Sequence, residues 1–415
     1  MHTLYLCYFW LSEPLVQTQV LPYLRELQKD GIRISLMTFE RADITLDQIE
    51  EQRRKLAAEG IDWYHLTYHK SPSVPATVYD VLNGARLTRR IMSEQKIDVL
   101  HGRVHIPAMM GAIARKFSRR KPKLIFDIRG FFPEEYTDAG RWKENGWIYK
   151  AVKRAEKWLL KDSDGFIVLT EKAREILFPE SKETGFDRFG RAVEVIPCCV
   201  NVEKFAVIDQ SLRREMREKL RVHGRRVITY VGSFGGWYMT DEMIDFFAAA
   251  READASVFAL ILTKTEAEMV AARLEAKGFT AQDYLVTSVT PAEIPAYMSA
   301  ADIALSFIKK CYSKQASSPT KIAEYLASGL PVISNRGIGD LDEMIETDAV
   351  GTLVEDFDPE SYRQSLRQIG ELEKDDWLAE KCRKSAARRF DLETVGGEKY
   401  RSLYRKLSLK KQVFD

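Results

Sequence analysis

The stretch Ser317–Ile333 concentrates residue types suited to holding a phosphorylated ligand. Ser318 is a good helix N-cap, Pro319 suits the first helical position, and Gly329 followed by Pro331 marks an end, so a short helix is delimited on both sides. A helix N-terminus offers free N–H groups and the positive end of its dipole; with Lys321 in its first turn it would stabilise an anion, most simply a diphosphate. Glu324 lies three residues on, on the same face one turn deeper, where its carboxylate can accept hydrogen bonds from ribose hydroxyls. The plain alternative is an ordinary i,i+3 surface pair on a well-capped helix.

These residues need a scaffold, and the rest of the chain supplies one of a definite class. Short β-branched or aliphatic runs at 3–9, 32–38, 97–101, 123–127, 165–169, 193–196, 226–231, 257–262, 302–307 and 331–334 alternate with helical patterns, the signature of βαβ units around parallel sheets. The segment 147–161, with Ile148, Val152, Ala155 and Leu159 at helical spacing, typifies the connections. At 415 residues the chain exceeds what one core usually serves, so two domains are expected, with the junction near 206, where Ile196–Phe205 gives way to a very charged segment before Val227. In such α/β domains ligands bind beyond the carboxyl ends of the strands, so the loops there are where further site residues are sought. The formal charge of +2, from 63 basic and 61 acidic residues, gives no general case for nucleic acid. No apolar run reaches the roughly 18 residues of a membrane span, the start lacks the pattern of a secretory signal, and five cysteines without a CxxC pair suit reduced thiols, so a cytoplasmic protein is expected.

The segment Ser317–Ile333 resembles the carboxy-terminal signature of glycosyltransferase family 4, retaining enzymes with the GT-B fold. In that family a Glu-x7-Glu motif runs into Ala-x-Gly-x-Pro-Val; Glu324 matches the second Glu, which contacts ribose, while the first falls on Ala316. Val195–Pro197 through Asn201 and Phe205 resembles the pattern before the linker, and Val231–Ser233 resembles the Gly-Arg turn, with Ser233 in place of Arg. The resemblance implies two Rossmann-like α/β domains facing a central cleft: 1–205 for the acceptor, 206–380 for the nucleotide sugar, and 381–415 as terminal helices packing back toward the first. It further implies metal-independent transfer from a nucleotide diphosphate sugar to a glycan or lipid-linked acceptor, with no cofactor. The donor would meet Gly232, Ser233, Gly235, Gly236, Trp237, Ser318, Pro319, Thr320, Tyr325 and Arg336, with Lys321 and Glu324 at the reacting end. The glycines read equally as a tight turn.

In the amino-terminal half, Asp127, Arg129 and Glu134 lie at the end of an apolar strand facing the expected cleft. Arg129, a fixed cation for a phosphate or acceptor, joins His101 as a catalytic candidate, while Asp127 and Glu134 are candidates for the acceptor site that read also as caps or ion-pair partners. His101 ends another strand and is assigned to the cleft; its i,i+4 spacing from His105 lacks a third ligand for a metal. Phe9 and Trp10 replace the family's Gly-rich loop and would form an aromatic wall of the acceptor site, core packing being the other reading. Asp162/Asp164 and Asp340/Asp342 are read as helix-end residues rather than metal ligands. The run Arg115–Lys123 suits either anionic lipid head groups or a solvated helix end. Two other classes share this outline: a nucleotide-sugar epimerase of the same build, and a non-catalytic two-domain sugar-binding protein.

Overall fold

The computed structural model describes residues 1–206, 209–264 and 267–409, the side chains of Ala206 and Leu409 excepted. The chain forms two compact units: Met1–Pro197 together with the segment from Val395 onward, and Cys198–Thr394.

In the first unit β1 (His2–Leu6), β2 (Arg33–Glu40), β3 (Ile61–Thr67), β4 (Val99–Arg103), β5 (Lys123–Asp127), β6 (Gly165–Val168) and β7 (Ala192–Val195) make one parallel sheet in the order β3-β2-β1-β4-β5-β6-β7. Its middle strands are buried because helices cover both faces: every residue of β1 and of β4 is buried. The connections are α1 (Pro14–Gln19), α2 (Leu21–Gln28), α3 (Leu46–Ala58), α4 (Ser73–Glu94), α5 (His105–Lys116), α6 (Phe132–Asp138), α7 (Trp147–Asp162), α8 (Glu171–Leu177) and α9 (Ser181–Thr184). Sequence order reverses between β1 and β4, which makes their carboxyl ends the switch point of the sheet.

The second unit repeats the plan with β8 (Arg226–Val231), β9 (Val257–Leu262), β10 (Tyr284–Thr287), β11 (Ile303–Ser306), β12 (Val332–Asn335) and β13 (Gly351–Val354), in the order β10-β9-β8-β11-β12-β13. Its switch point lies between β8 and β11.

The α/β class and the two parallel sheets agree with the sequence reading, whereas the boundaries differ. The units part at Pro197/Cys198, before the expected junction near 206 and its neighbours 207–208, which lie outside the described residues. Val200 explains the shift: its N–H donates to Phe390 O (2.8 Å) and its carbonyl accepts from Leu392 N (2.9 Å), which ties this segment to the second unit. The expected terminal block 381–415 is also divided. Helix Leu378–Phe390 packs on the second unit, while the final helix Glu398–Leu409 packs on the first against α2 and β7; residues 410–415 lie outside the described set. That last helix buries Tyr400, Leu403, Tyr404 and Leu407, each apolar side chain so removed from water contributing about 2 kcal/mol.

Candidate active site

At the switch point of the second sheet, the chain leaves β8 through Gly232 (φ +144°), Gly235 (φ +75°) and Gly236 (φ +61°), conformations that a side chain disfavours. This turn is pinned to the loop after β11. Met239 N donates to Phe307 O (3.2 Å), Lys309 N to Trp237 O (2.8 Å), and Tyr238 bridges Ile308. Asn335, at the end of β12, fixes the second loop by accepting from Ile308 N (2.8 Å) and donating to Ile308 O (2.9 Å).

Beside these loops begins helix Thr320–Ala327. Pro319 is its N-cap and no side chain caps it, so its first N–H groups keep their capacity for an external acceptor. Ser318 is therefore not the cap expected: its hydroxyl accepts from Cys198 N (3.1 Å) and holds the start of the unit in place. The helix ends where expected. Gly329 adopts φ +80°, and Leu330 N donates to Tyr325 O (3.0 Å).

Lys321 points from the first turn into an aromatic socket. Its Nζ lies 3.8 Å from the Tyr238 ring centroid and 4.2 Å from that of Tyr230, and donates to the Tyr230 hydroxyl (3.1 Å), which in turn donates to Ser233 O (2.5 Å). A Cβ at Gly232 would stand 2.7 Å from this ammonium, so the glycine makes room for the cation as well as for the turn. Lys321 is 8% exposed, and among the described residues no carboxylate comes within ion-pair distance of it. Burial lowers its pKa to about 7, with Glu324 one turn away opposing; burial likewise raises Glu324 to about 7, with Lys321 opposing. An arriving diphosphate would meet a desolvated ammonium, a helix N-terminus and flexible-backbone glycines within one switch point.

The remaining donor-side candidates divide. Ser233, Gly235 and Gly236 are exposed on the turn, and Trp237 and Thr320 are half-buried beside it. Tyr325 is fully buried, its hydroxyl accepting from Val231 N (2.8 Å), and it anchors the end of β8. Arg336 is committed to Glu346 and Glu355, so its charge is already met. Ala316 is buried and brings no polar group where the family's first Glu would stand. Sequence reasoning missed Tyr230 and Tyr238, the partners of Lys321; Tyr230, the one aromatic residue of β8 and next to its carboxyl end, was the available signal.

In the first unit, His101 and Asp127 were assigned to a cleft, and the structure instead buries both completely. His101 lies within β4, stacked on Tyr400 (5.6 Å) and bonded through Nδ1 to the Tyr404 hydroxyl (2.9 Å). Burial lowers its pKa despite Asp127 3.5 Å from Nε2. Asp127 accepts from the Tyr400 hydroxyl (3.2 Å); burial works to raise its pKa, but Arg129, His101 and Arg103 bring it to about 2. The two final-helix tyrosines explain the correction, because no reading of the strand ends alone shows that a helix some 300 residues later covers them. Arg129 sits 3.7 Å from Asp127 with its side chain 6% exposed, and Arg103, missed in the sequence, lies equally deep. Glu134 takes hydrogen bonds from the Tyr149 hydroxyl (3.0 Å) and the Lys153 ammonium (3.0 Å), and His105 from the same helix layer meets Glu156 (2.9 Å). Phe9 and Trp10 are half-buried after β1, where Phe9 O accepts from Phe39 N.

Asp162 and Asp164 both pair with Arg115, and Asp342 accepts from Gly337 N (3.0 Å). No group of three or more potential metal ligands occurs among the described residues.

Comparison with known proteins agrees with this architecture. The family described as "Glycosyltransferase Family 4" matches residues 16–204, and that described as "Glycosyl transferases group 1" matches residues 213–389. No curated protein sequence matches the chain. Among solved structures, a glycosyltransferase from Rickettsia africae is similar at TM-score 0.72 and 16% identity, over 98% of each chain. HepE of Anabaena in complex with UDP is similar at 0.68 and 16%, over 98% of this chain and 100% of that one. Sucrose-phosphate synthase of Thermosynechococcus elongatus is similar at 0.73 and 13%, over 99% and 100%. At such identities the structures establish the fold, and the two family matches, which together span most of the chain, establish kinship: the protein belongs to the glycosyltransferases of family 4 type, with the GT-B fold.

Proposed function

We propose that the protein moves a sugar from a nucleoside diphosphate sugar to a glycan or lipid-linked acceptor, with retention of configuration and without a metal ion. The observation that carries this reading is the buried, carboxylate-free Lys321 ammonium beside the Gly232 turn and the uncapped helix N-terminus. Three kinds of positive potential converge there, where a leaving diphosphate gains charge as the bond to the sugar breaks. The acceptor oxygen forms the new bond to the anomeric carbon, the bonding pair departs onto the diphosphate, and a diphosphate oxygen takes the acceptor proton. Glu324 orients the ribose. Arg129 holds an anionic group of the acceptor. UDP is the first nucleotide to test, because the similar HepE structure contains it.

Contact with an anionic membrane surface belongs to the same reading, on the cytoplasmic side. Phe117 is 64% exposed beside Lys116, Arg119, Arg120 and Lys121, which suits a lipid surface, whereas Arg115 is committed to Asp162 and Asp164. Among the described residues no helix is long and apolar enough to cross a membrane.

Calorimetry with UDP, GDP, ADP and CDP on the full chain and on Lys321→Met and Glu324→Ala tests the donor site. One diphosphate should bind, about 10- to 100-fold more weakly to Lys321→Met, the range expected for a charge-assisted contact. Failure of all four to bind, or indifference to both substitutions, would remove the site assignment.

A further inference from the structure

Along the outer edge of β3, between α3 and α4, runs an open groove of about 730 Å³. Four arginines face it: Arg53 from α3, and Arg86, Arg89 and Arg90 from the second half of α4. The α4 positions follow from periodicity, since Ala85, Thr88 and Ile91 turn inward and leave 86, 89 and 90 on the outer stripe. No Asp or Glu lines the groove, whereas the depressions around Arg336, Arg191 and Arg41 each carry at least two acids. Arg53 is neutralised by Glu50, and Arg90 faces Glu94 at 3.6 Å. Arg86 and Arg89 have no ion-pair partner among the described residues, which leaves two uncompensated guanidinium groups.

The opposite wall is aromatic and polar. Tyr64 and the ring of His65 are half-buried there, His65 tilted against Trp63 at 5.0 Å. Because β3 ends the sheet, its outer edge carries backbone N–H and C=O groups that no strand pairs.

We propose that this groove is a second, non-catalytic site that holds an anionic saccharide chain, one bearing carboxylates or phosphates. Guanidinium forks match both oxyanions, ring faces suit the flat surfaces of sugars, and the free strand edge answers hydroxyl groups. A flat bilayer cannot reach the floor of a concave groove, so a chain fits it better than a membrane. The saccharide identity rests on the glycosyltransferase reading. A chain anchored at the sheet edge, two strands from the switch point, would raise the local concentration of its growing end.

The test measures binding of oligogalacturonate, a phosphomannan fragment and neutral dextran to the full protein and to the Arg86→Gln/Arg89→Gln double variant, with UDP binding measured in parallel. At least one charged chain should bind, roughly tenfold more weakly to the double variant, and more weakly still as salt rises from about 50 to about 500 mM. Dextran should bind neither, and UDP should bind both proteins alike. The proposal is overturned if neither charged chain binds, if dextran binds as well, or if the double variant is unaltered. It is also overturned if inorganic phosphate alone competes as strongly as the chain, or if the double substitution chiefly abolishes binding to anionic phosphatidylglycerol vesicles. Loss of UDP binding from the unaltered protein with chain binding intact would instead count against the donor site.

Discussion

Lys321 spends the unliganded state in an environment that disfavours its charge, and the consequences are measurable. Its folded pKa lies far below the unfolded value, so between about 7 and about 10.5 the unfolded chain binds more protons and this group makes stability rise with pH. Glu324 acts in the opposite sense: its raised folded pKa makes stability fall as pH climbs from about 4.5 to about 7. Thermal melts should show the upper limb in the wild type and lose it in Lys321→Met, with the melting temperature near neutral pH no lower in the variant. Diphosphate affinity should decline as pH rises above 7, approaching tenfold per unit, and the decline should vanish in Lys321→Met. For Glu324 the informative probe is the ribose itself. The wild type should prefer UDP to 2′- or 3′-deoxy-UDP, and Glu324→Ala should bind all three alike; a preference that survives the substitution assigns the ribose contact elsewhere. Gly232→Ala combines an unfavourable φ of +144° with a Cβ 2.7 Å from the Lys321 ammonium, and should cost about 1–3 kcal/mol in denaturant unfolding together with donor affinity.

The elements that hold these residues were legible to different depths, and the pattern has a physical cause. Of the thirteen strands among the described residues, the three that sequence reading did not find, β3, β10 and β13, all lie at sheet edges. An edge strand is wet on one side and needs fewer apolar residues: all four positions of β10 are half-buried, while all six of β9 are buried. Helix Thr320–Ala327 was legible because its stop signals are local, and Lys321 with Glu324 came with it. The Tyr325 hydroxyl's bond to Val231 N was not legible, because helical periodicity places a residue on a face without saying what that face meets. Asn335 was invisible for the same reason, since its two bonds to Ile308 span neighbouring strands. Asn335→Ala leaves a buried N–H and C=O without that partner and should cost about 1–3 kcal/mol in equilibrium unfolding, with a weaker donor affinity because the loop after β11 loses its clamp.

At the scale of the whole chain, the second unit is one continuous segment, Cys198–Thr394, and has its own cores around Ile322 and Phe247. Expressed alone it should fold cooperatively and bind the same diphosphate as the full protein within a few-fold, since Lys321, Glu324 and the Gly232 turn are all internal to it. A fragment that folds but does not bind would show that the donor contacts come from the other unit. The first unit is discontinuous. Thr3, in β1, hydrogen-bonds Tyr404 at 3.0 Å, and Tyr404 in turn bonds His101. A protein is synthesised from its amino terminus, so the strands of the first unit emerge before the second unit and yet lack the helix that roofs their central histidine until residues 398–409 have been made. The second unit, read out in between, can be complete before the first is closed. Folding order should therefore run opposite to birth order, and nascent chains arrested short of residue 398 should present the β4–β5 surface to chaperones and proteases while the second unit is already closed.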